Sequence, residues 1–391
     1  MEQLTAGKRD RGLSKLVLSV LSFVAITAAE IVAFLLVLFL NIPDDSLWAQ
    51  ILPECFGAAA ALACVIALGG RSLLSSSPRD VAYTFRFGWW CMAISVALAV
   101  YEQYSYVTEG TAIDPGWQMR MVECAIFCLA IGFLEELMFR GLLFNGLLAK
   151  MGATHKGVVQ AVMLTSLAFG AAHVDYTTDF VDGLSAVQAL LKIVQTGEYS
   201  ILLCVIMLQT REVVGVSLFH GLDDFMILAP SVALYHESAD IDYVTTGEDA
   251  IPVIIYYLVI IALYLPFVIK SLRALRKSQV AWQGAFVDQE LALAASAPLQ
   301  PVVPAGPVAP VESAAPVEAV VPAIPAEPVT PVEPAGSVAP IAPAEPTQHV
   351  APKVYRQVSG QKAQPSVPES ALQAPGQKPK GAPPAPTGFT S

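Results

Sequence analysis

The sequence predicts an all-α protein: a polytopic membrane bundle of about eight transmembrane helices, followed by a disordered Pro/Ala-rich C-terminal tail. Three observations lead there. Of 391 residues, 55% are hydrophobic and only 14% charged, and the mean hydropathy is +0.57. Apolar runs of helical length recur up to about residue 270, whereas most of the 29 prolines lie after about residue 293. A helix needs about 20 apolar residues to cross about 30 Å of hydrocarbon, and barrel strands would instead be short and alternating. A single water-soluble globular domain is excluded.

The spans follow in order. Residues 16–40 supply the first, 51–70 the second and 87–104 the third. Segment 119–149 is longer and is expected to tilt or break near Gly141 or Gly146; 157–173 is the fifth. After a wetter stretch at 174–183 come 184–209, 212–229 and 251–270, with Lys192 and Thr196-Gly197-Glu198 dividing the first of these into an amphipathic and a shorter apolar piece. The opening run follows Lys8, Arg9, Arg11 and Lys15 and is longer than the core of a cleaved signal, so it reads as a retained span.

Charge sets the expected orientation. Arg71, Arg79, Arg86, Lys150, Lys156, Arg211, Lys270, Arg273, Arg276 and Lys277 fall on one side of an eight-span arrangement. The opposite loops are acidic, with Asp44, Asp45, Glu109, Asp114, Asp175, Asp179, Asp182, Glu237, Asp240, Asp242, Glu248 and Asp249. The positive-inside rule then places both termini in the cytoplasm. Net charge −11 opposes nucleic-acid binding, which needs a concentrated basic surface. The six cysteines lie in or beside apolar runs and read as small apolar residues.

Beyond the bundle, 271–292 is expected to be a cytoplasmic juxtamembrane segment, in which 284–290 offers little to build a domain. In the tail, 293–391, PVVPAGPVAP at 301–310 nearly recurs as PVEPAGSVAP at 331–340. Proline at this density bars regular helix and sheet, leaving either a spacer or a docking segment for a cytoplasmic or envelope partner.

Ionisable side chains at membrane depth normally face the protein interior beside a partner or a task. They concentrate in three places: Glu135-Glu136-Leu137-Met138-Phe139-Arg140-Gly141, Phe169-Gly170-Ala171-Ala172-His173, and His220-Gly221-Leu222-Asp223-Asp224. Glu136 and Arg140 share a helix face and can pair, as do His220 and Asp224. Glu135 lies about 100° around the helix and is left without that partner. Small residues before His173 would let another helix approach closely. Each feature has a purely structural reading: an ion pair, a hydrogen-bonded helix end, an acid near the outer surface. None explains why one carboxylate and two histidines recur on three separate spans.

A carboxylate in a poorly solvated pocket is an effective general base for water, and nearby histidines can share that water or stabilise the developing oxyanion. The alternative chemistry is metal-assisted hydrolysis, with Glu135, His173 and His220 holding a divalent metal such as zinc. There is no HExxH and no Gly-x-Ser-x-Gly elbow, although Ser166 and Ser217 lie near the histidines. Two further function classes remain at this point: a proton-coupled secondary transporter, and a non-catalytic membrane scaffold with a recruiting tail.

At these motifs the sequence resembles the CPBP family of intramembrane proteases, which includes the type II CAAX prenyl endopeptidases and bacteriocin-processing proteins. Its glutamate pair, three variable residues and arginine look like Glu135 through Arg140. Its phenylalanine and later histidine look like Phe169 and His173, and its last motif looks like His220 through Asp224. Asp224 stands where many relatives carry asparagine, which places an anion beside His220. The resemblance implies a protease-like core at about 119–229 within a membrane domain at 16–270, behind a basic cytoplasmic N-terminus at 1–15. It implies Glu135 as the water-activating base assisted by His173, with His220 and Asp224 supporting the oxyanion, and Glu136, Arg140 and Phe169 maintaining the architecture. Its cavity would admit water from one side and a membrane-associated or lipid-modified peptide laterally from the bilayer, in a bacterial cytoplasmic membrane. Depth is the difficulty. Glu135 and His173 each lie roughly 24 Å along oppositely running spans, so the helices must be offset, tilted or interrupted to meet.

Overall fold

The computed structural model describes residues 2–239 and 242–296, with side chains for 11–239 and 242–292. The expected tail, from 297 onward, and Asp240 lie outside the described residues. Ten α-helices form among those described: α1 Glu2–Phe39, α2 Trp48–Ala67, α3 Pro78–Glu109, α4 Trp117–Glu136, α5 Asn145–Met151, α6 His155–Ala171, α7 Gly183–Thr210, α8 Val214–Leu228, α9 Ala250–Ser278 and α10 Ala285–Ser296. Their ends follow local chemistry. Ser77 and Asp80 form a reciprocal capping box at the start of α3, with Pro78 in the first turn, and Gly110 closes that helix with φ 72°. Asp182 opens α7 by accepting from the amides of Leu184 and Ser185, both at 2.8 Å.

Six helical stretches are long and apolar enough to cross a membrane: Arg11–Phe39, Trp48–Ala67, Pro78–Glu109, Gly183–Thr210, Val214–Leu234 and Gly247–Ser278. The chain is a polytopic membrane protein. The two remaining expected spans correspond to α4 and α6. The first carries Arg120, Glu123, Glu135 and Glu136 within 20 residues, and the second is only 17 residues long. Each buries one face, with Cys124, Phe127 and Cys128 of α4 and Val158, Ala161, Val162 and Phe169 of α6 inside, and leaves another apolar face exposed at Met119, Val122, Met163 and Leu167.

The break expected near Gly141 is a π-helical stretch, Leu137–Phe144, that begins directly after Glu136. Two other local expectations change. Residues 196–198 do not divide α7, which runs unbroken for 28 residues because Thr196 and the turns after it pack inside the protein. Finally, 284–290 is not featureless. It starts α10, which docks against the bundle through Trp282 and fully buried Phe286. Asn145 Oδ1 accepts from the Ala285 amide at 2.9 Å, and Lys15 pairs with Glu290 at 3.0 Å.

Candidate active site

Helices α4 and α8 meet backbone to backbone. A Cβ on Gly132 would lie 2.5 Å from the Gly221 amide, and one on Gly221 would lie 2.7 Å from the Cys128 carbonyl. No larger residue fits this crossing, and it brings Glu135 and Glu136 opposite His220. On the other side, a Cβ on Gly170 of α6 would collide with the Ile193 carbonyl of α7. That second close approach sets His173, three residues later, at the rim of the same space. A π-helical stretch begins directly after Glu136 and shifts the side chains that follow it, Arg140 among them, relative to α-helical register.

The floor of the site is sealed. Glu136 and Arg140 are fully buried and form an ion pair, with Glu136 Oε1 2.9 Å from Arg140 Nη1. The same oxygen lies 2.8 Å from His220 Nδ1. Because a carboxylate only accepts, His220 donates Nδ1–H to it and turns Nε2 to the opposite side. There Nε2 lies 3.6 Å from Glu135 Oε2 and 3.7 Å from Asp224 Oδ2. His173 is held similarly. Its Nδ1 donates to the Phe169 carbonyl at 2.7 Å, and its Nε2 lies 3.8 Å from Glu135 Oε1. Both imidazoles are thus fixed through Nδ1 and aimed at Glu135 through Nε2.

Phe169 is the hub of this arrangement. Its buried ring packs edge-on against Phe139 at 4.9 Å and His220 at 5.9 Å, lies tilted against His173 at 4.7 Å, and is covered on its face by the Arg140 guanidinium at 4.1 Å. A buried cation against a ring face gains electrostatic stabilisation that water would otherwise screen. Side-chain exposure then rises from nothing at Glu136 and Arg140, through 6% at His220 and 16% at His173, to about a quarter at Glu135 and Asp224. Glu135 and Asp224 are therefore the most exposed side chains of the cluster, although Glu135 Oε2 itself is buried.

The structure brings all seven singled-out residues together. Glu135, left without Arg140 as a partner, stands between His173 and His220. Glu136, assigned only Arg140, also holds His220. Asp223 separates from its neighbour Asp224 by bonding Ser95 of α3 at 2.7 Å. Sequence reasoning missed Tyr199, whose ring meets His220 edge-on at 5.3 Å, and the pair Lys192 and Tyr243, whose ring lies 6.5 Å from that of His173. Lys192 was noticed only as a polar interruption of an apolar run. Among the described residues, no group of three or more His, Cys, Asp or Glu side chains has the geometry to hold a metal ion.

Residues 117–226 match a family model described as "Type II CAAX prenyl endopeptidase Rce1-like". The match begins at the first residue of α4 and ends two residues after Asp224, so it contains the whole cluster. No curated protein and no solved structure matches the chain.

Proposed function

We infer that this chain, which carries an Rce1-like CAAX protease domain over residues 117–226, hydrolyses a peptide bond in a membrane-associated peptide with Glu135 as the base that activates water. The observation that carries this reading is the convergence of His173 Nε2 and His220 Nε2 on the two oxygens of Glu135, one of the two most exposed side chains of the cluster. Glu135 takes a proton from water while His173 Nε2 shares that water, and the oxygen attacks the scissile carbonyl. His220, once protonated and held by Glu136 and Asp224, presents Nε2–H to the carbonyl oxygen as negative charge develops. The proton on Glu135 then passes to the departing amine, so no covalent enzyme intermediate forms. Glu136, Arg140 and Phe169 hold the two imidazoles in register.

The same reading keeps eight spans, with α4 and α6 as the two remaining ones, and both termini cytoplasmic in a bacterial cytoplasmic membrane. The basic residues then form one face, where His155 Nδ1 meets the Val280 carbonyl. His173 lies at the far end of α6, roughly 25 Å away at 1.5 Å per residue. The pocket therefore opens toward the acidic loops.

Purified full-length protein and a peptide library test the reading. Cleavage is expected, and Glu135→Ala or His173→Ala abolishes it; cleavage that survives either change removes the mechanism. Activity after exhaustive chelation, paired with metal analysis, distinguishes glutamate-driven from metal-assisted hydrolysis.

A further inference from the structure

We propose that Asn145 is a positioning residue for the Glu/His cluster, and that docking of α10 sets the geometry of that cluster through it. The proposal rests on the hydrolytic reading of the site. Asn145 lies where the π-helical stretch Leu137–Phe144 returns to α-helix, and it is fully buried. Its Nδ2 donates to the Arg140 carbonyl at 2.8 Å, five residues back. Five residues is the span of one π-helical hydrogen bond, so the side chain clamps the last turn of the stretch.

The clamp is closed from α10. Asn145 Oδ1 accepts from the Ala285 amide at 2.9 Å. The chain reaches that oxygen through Gly284, with φ 80°, where a Cβ would lie 2.9 Å from it. Glycine combines this left-handed turn with so close an approach. An amide bonded at both nitrogen and oxygen is held in one orientation, and once released at the oxygen it can turn away from Arg140. Helix α10 is in turn fixed by several contacts. Phe286 is fully buried, and Lys15 of α1 pairs with Glu290 at 3.0 Å. The Trp282 indole donates to Asp288 at 2.7 Å and is covered by the Arg211 guanidinium at 3.8 Å.

Arg140 carries the effect inward. Its guanidinium lies 2.9 Å from Glu136 Oε1 and 4.1 Å over the Phe169 ring. Glu136 orients His220, and the Phe169 carbonyl orients His173. Both imidazoles that face Glu135 are therefore referred to one side chain, and Asn145 holds the backbone that carries it. Close-packed interiors transmit such displacements. Asn145 takes no part in the proton transfers; it acts through Arg140.

The test measures peptide hydrolysis by full-length protein in detergent, well below the melting temperature of each variant. Asn145→Ser leaves one short hydroxyl in place of the two-ended amide, and Ala285→Pro removes only the outer bond. Each is expected to lower kcat about 10- to 100-fold while KM stays within about threefold, because reacting groups displaced by about 1 Å lose rate rather than substrate. The double variant is expected to be no slower than Asn145→Ser, since both changes break one link. An Ala285→Pro protein with kcat within about threefold of the unaltered chain overturns the proposal even where Asn145→Ser fails to accumulate. Losses that multiply in the double variant overturn it too. Amide exchange over 137–145 reads the clamp without turnover: it is expected to quicken in Ala285→Pro, and unchanged exchange overturns the coupling. If the unaltered protein cleaves no peptide, the hydrolytic reading falls, while quickened exchange still supports the link from α10 to the π-helical turn.

Discussion

His220 Nδ1 and Glu136 Oε1 are 2.8 Å apart, and this buried contact, rather than the i+4 relation to Asp224, orients the imidazole. Glu136 also neutralises Arg140, so truncating it strands a guanidinium without solvent. Glu136→Ala is expected to cost about 3–5 kcal/mol, read as a large fall in melting temperature or failure to accumulate. Glu136→Gln keeps an oxygen for His220 and is expected to be milder. Equal melting of Glu136→Ala and the unaltered protein would contradict this account.

Glu135 behaves oppositely. It is a quarter exposed, and its contacts to the two histidines are longer than hydrogen bonds. Glu135→Gln is expected to leave the melting temperature nearly unchanged while lowering kcat by about 10²–10⁴-fold. A variant within tenfold of the unaltered protein would remove the residue from the reaction.

The α4–α8 crossing allows no side chain at Gly132 or Gly221. Gly221→Leu forces the helices apart, with an expected loss of about 1–3 kcal/mol or more and a fall in activity as Glu135 and His220 separate. Thermal unfolding and turnover measured on one preparation check both effects.

Asn145 ties two elements together. Its amide nitrogen donates to the Arg140 carbonyl at 2.8 Å, and its oxygen accepts from Ala285 at 2.9 Å. Ala285→Pro removes that N–H at the first position of α10, where proline is otherwise tolerated. The stranded Asn145 oxygen is expected to cost about 1–3 kcal/mol and to speed proteolysis between α9 and α10. Unchanged proteolysis would show that α10 docks without this bond.

One pH effect lies outside the membrane-spanning segments. A hydrogen bond from His236 and another from the Gly116 amide hold the Asp114 carboxyl below its ordinary value of 3.8. A lowered folded value means the stabilisation is complete above the ordinary value and is lost as pH falls through the lowered one. Amide exchange in the loop before α4 is therefore expected to quicken only below about pH 4. Asp114→Asn should lack that acid step; an identical acid step in the variant would assign it elsewhere.

Hydropathy and residue spacing were enough to read an all-helical membrane protein, the three motif-bearing segments and the pairing of Glu136 with Arg140, because each depends on residues adjacent in the chain or one helical turn apart. Spacing could not reveal that Glu136 also holds His220, 84 positions away, or that Tyr243 from a distant loop covers Lys192. Nor could it show 284–290 starting a docked helix, since Phe286 becomes buried only against other elements. Hydropathy alone did not separate α4 and α6, which combine charges or short length with a buried face, from the six longer apolar helices. Composition and short-range pattern determined the material and the local pairs. The tertiary structure decided which carboxylate each imidazole faces, because that depends on the backbone contact at Gly132 and Gly221, which acts across the bundle rather than along the chain.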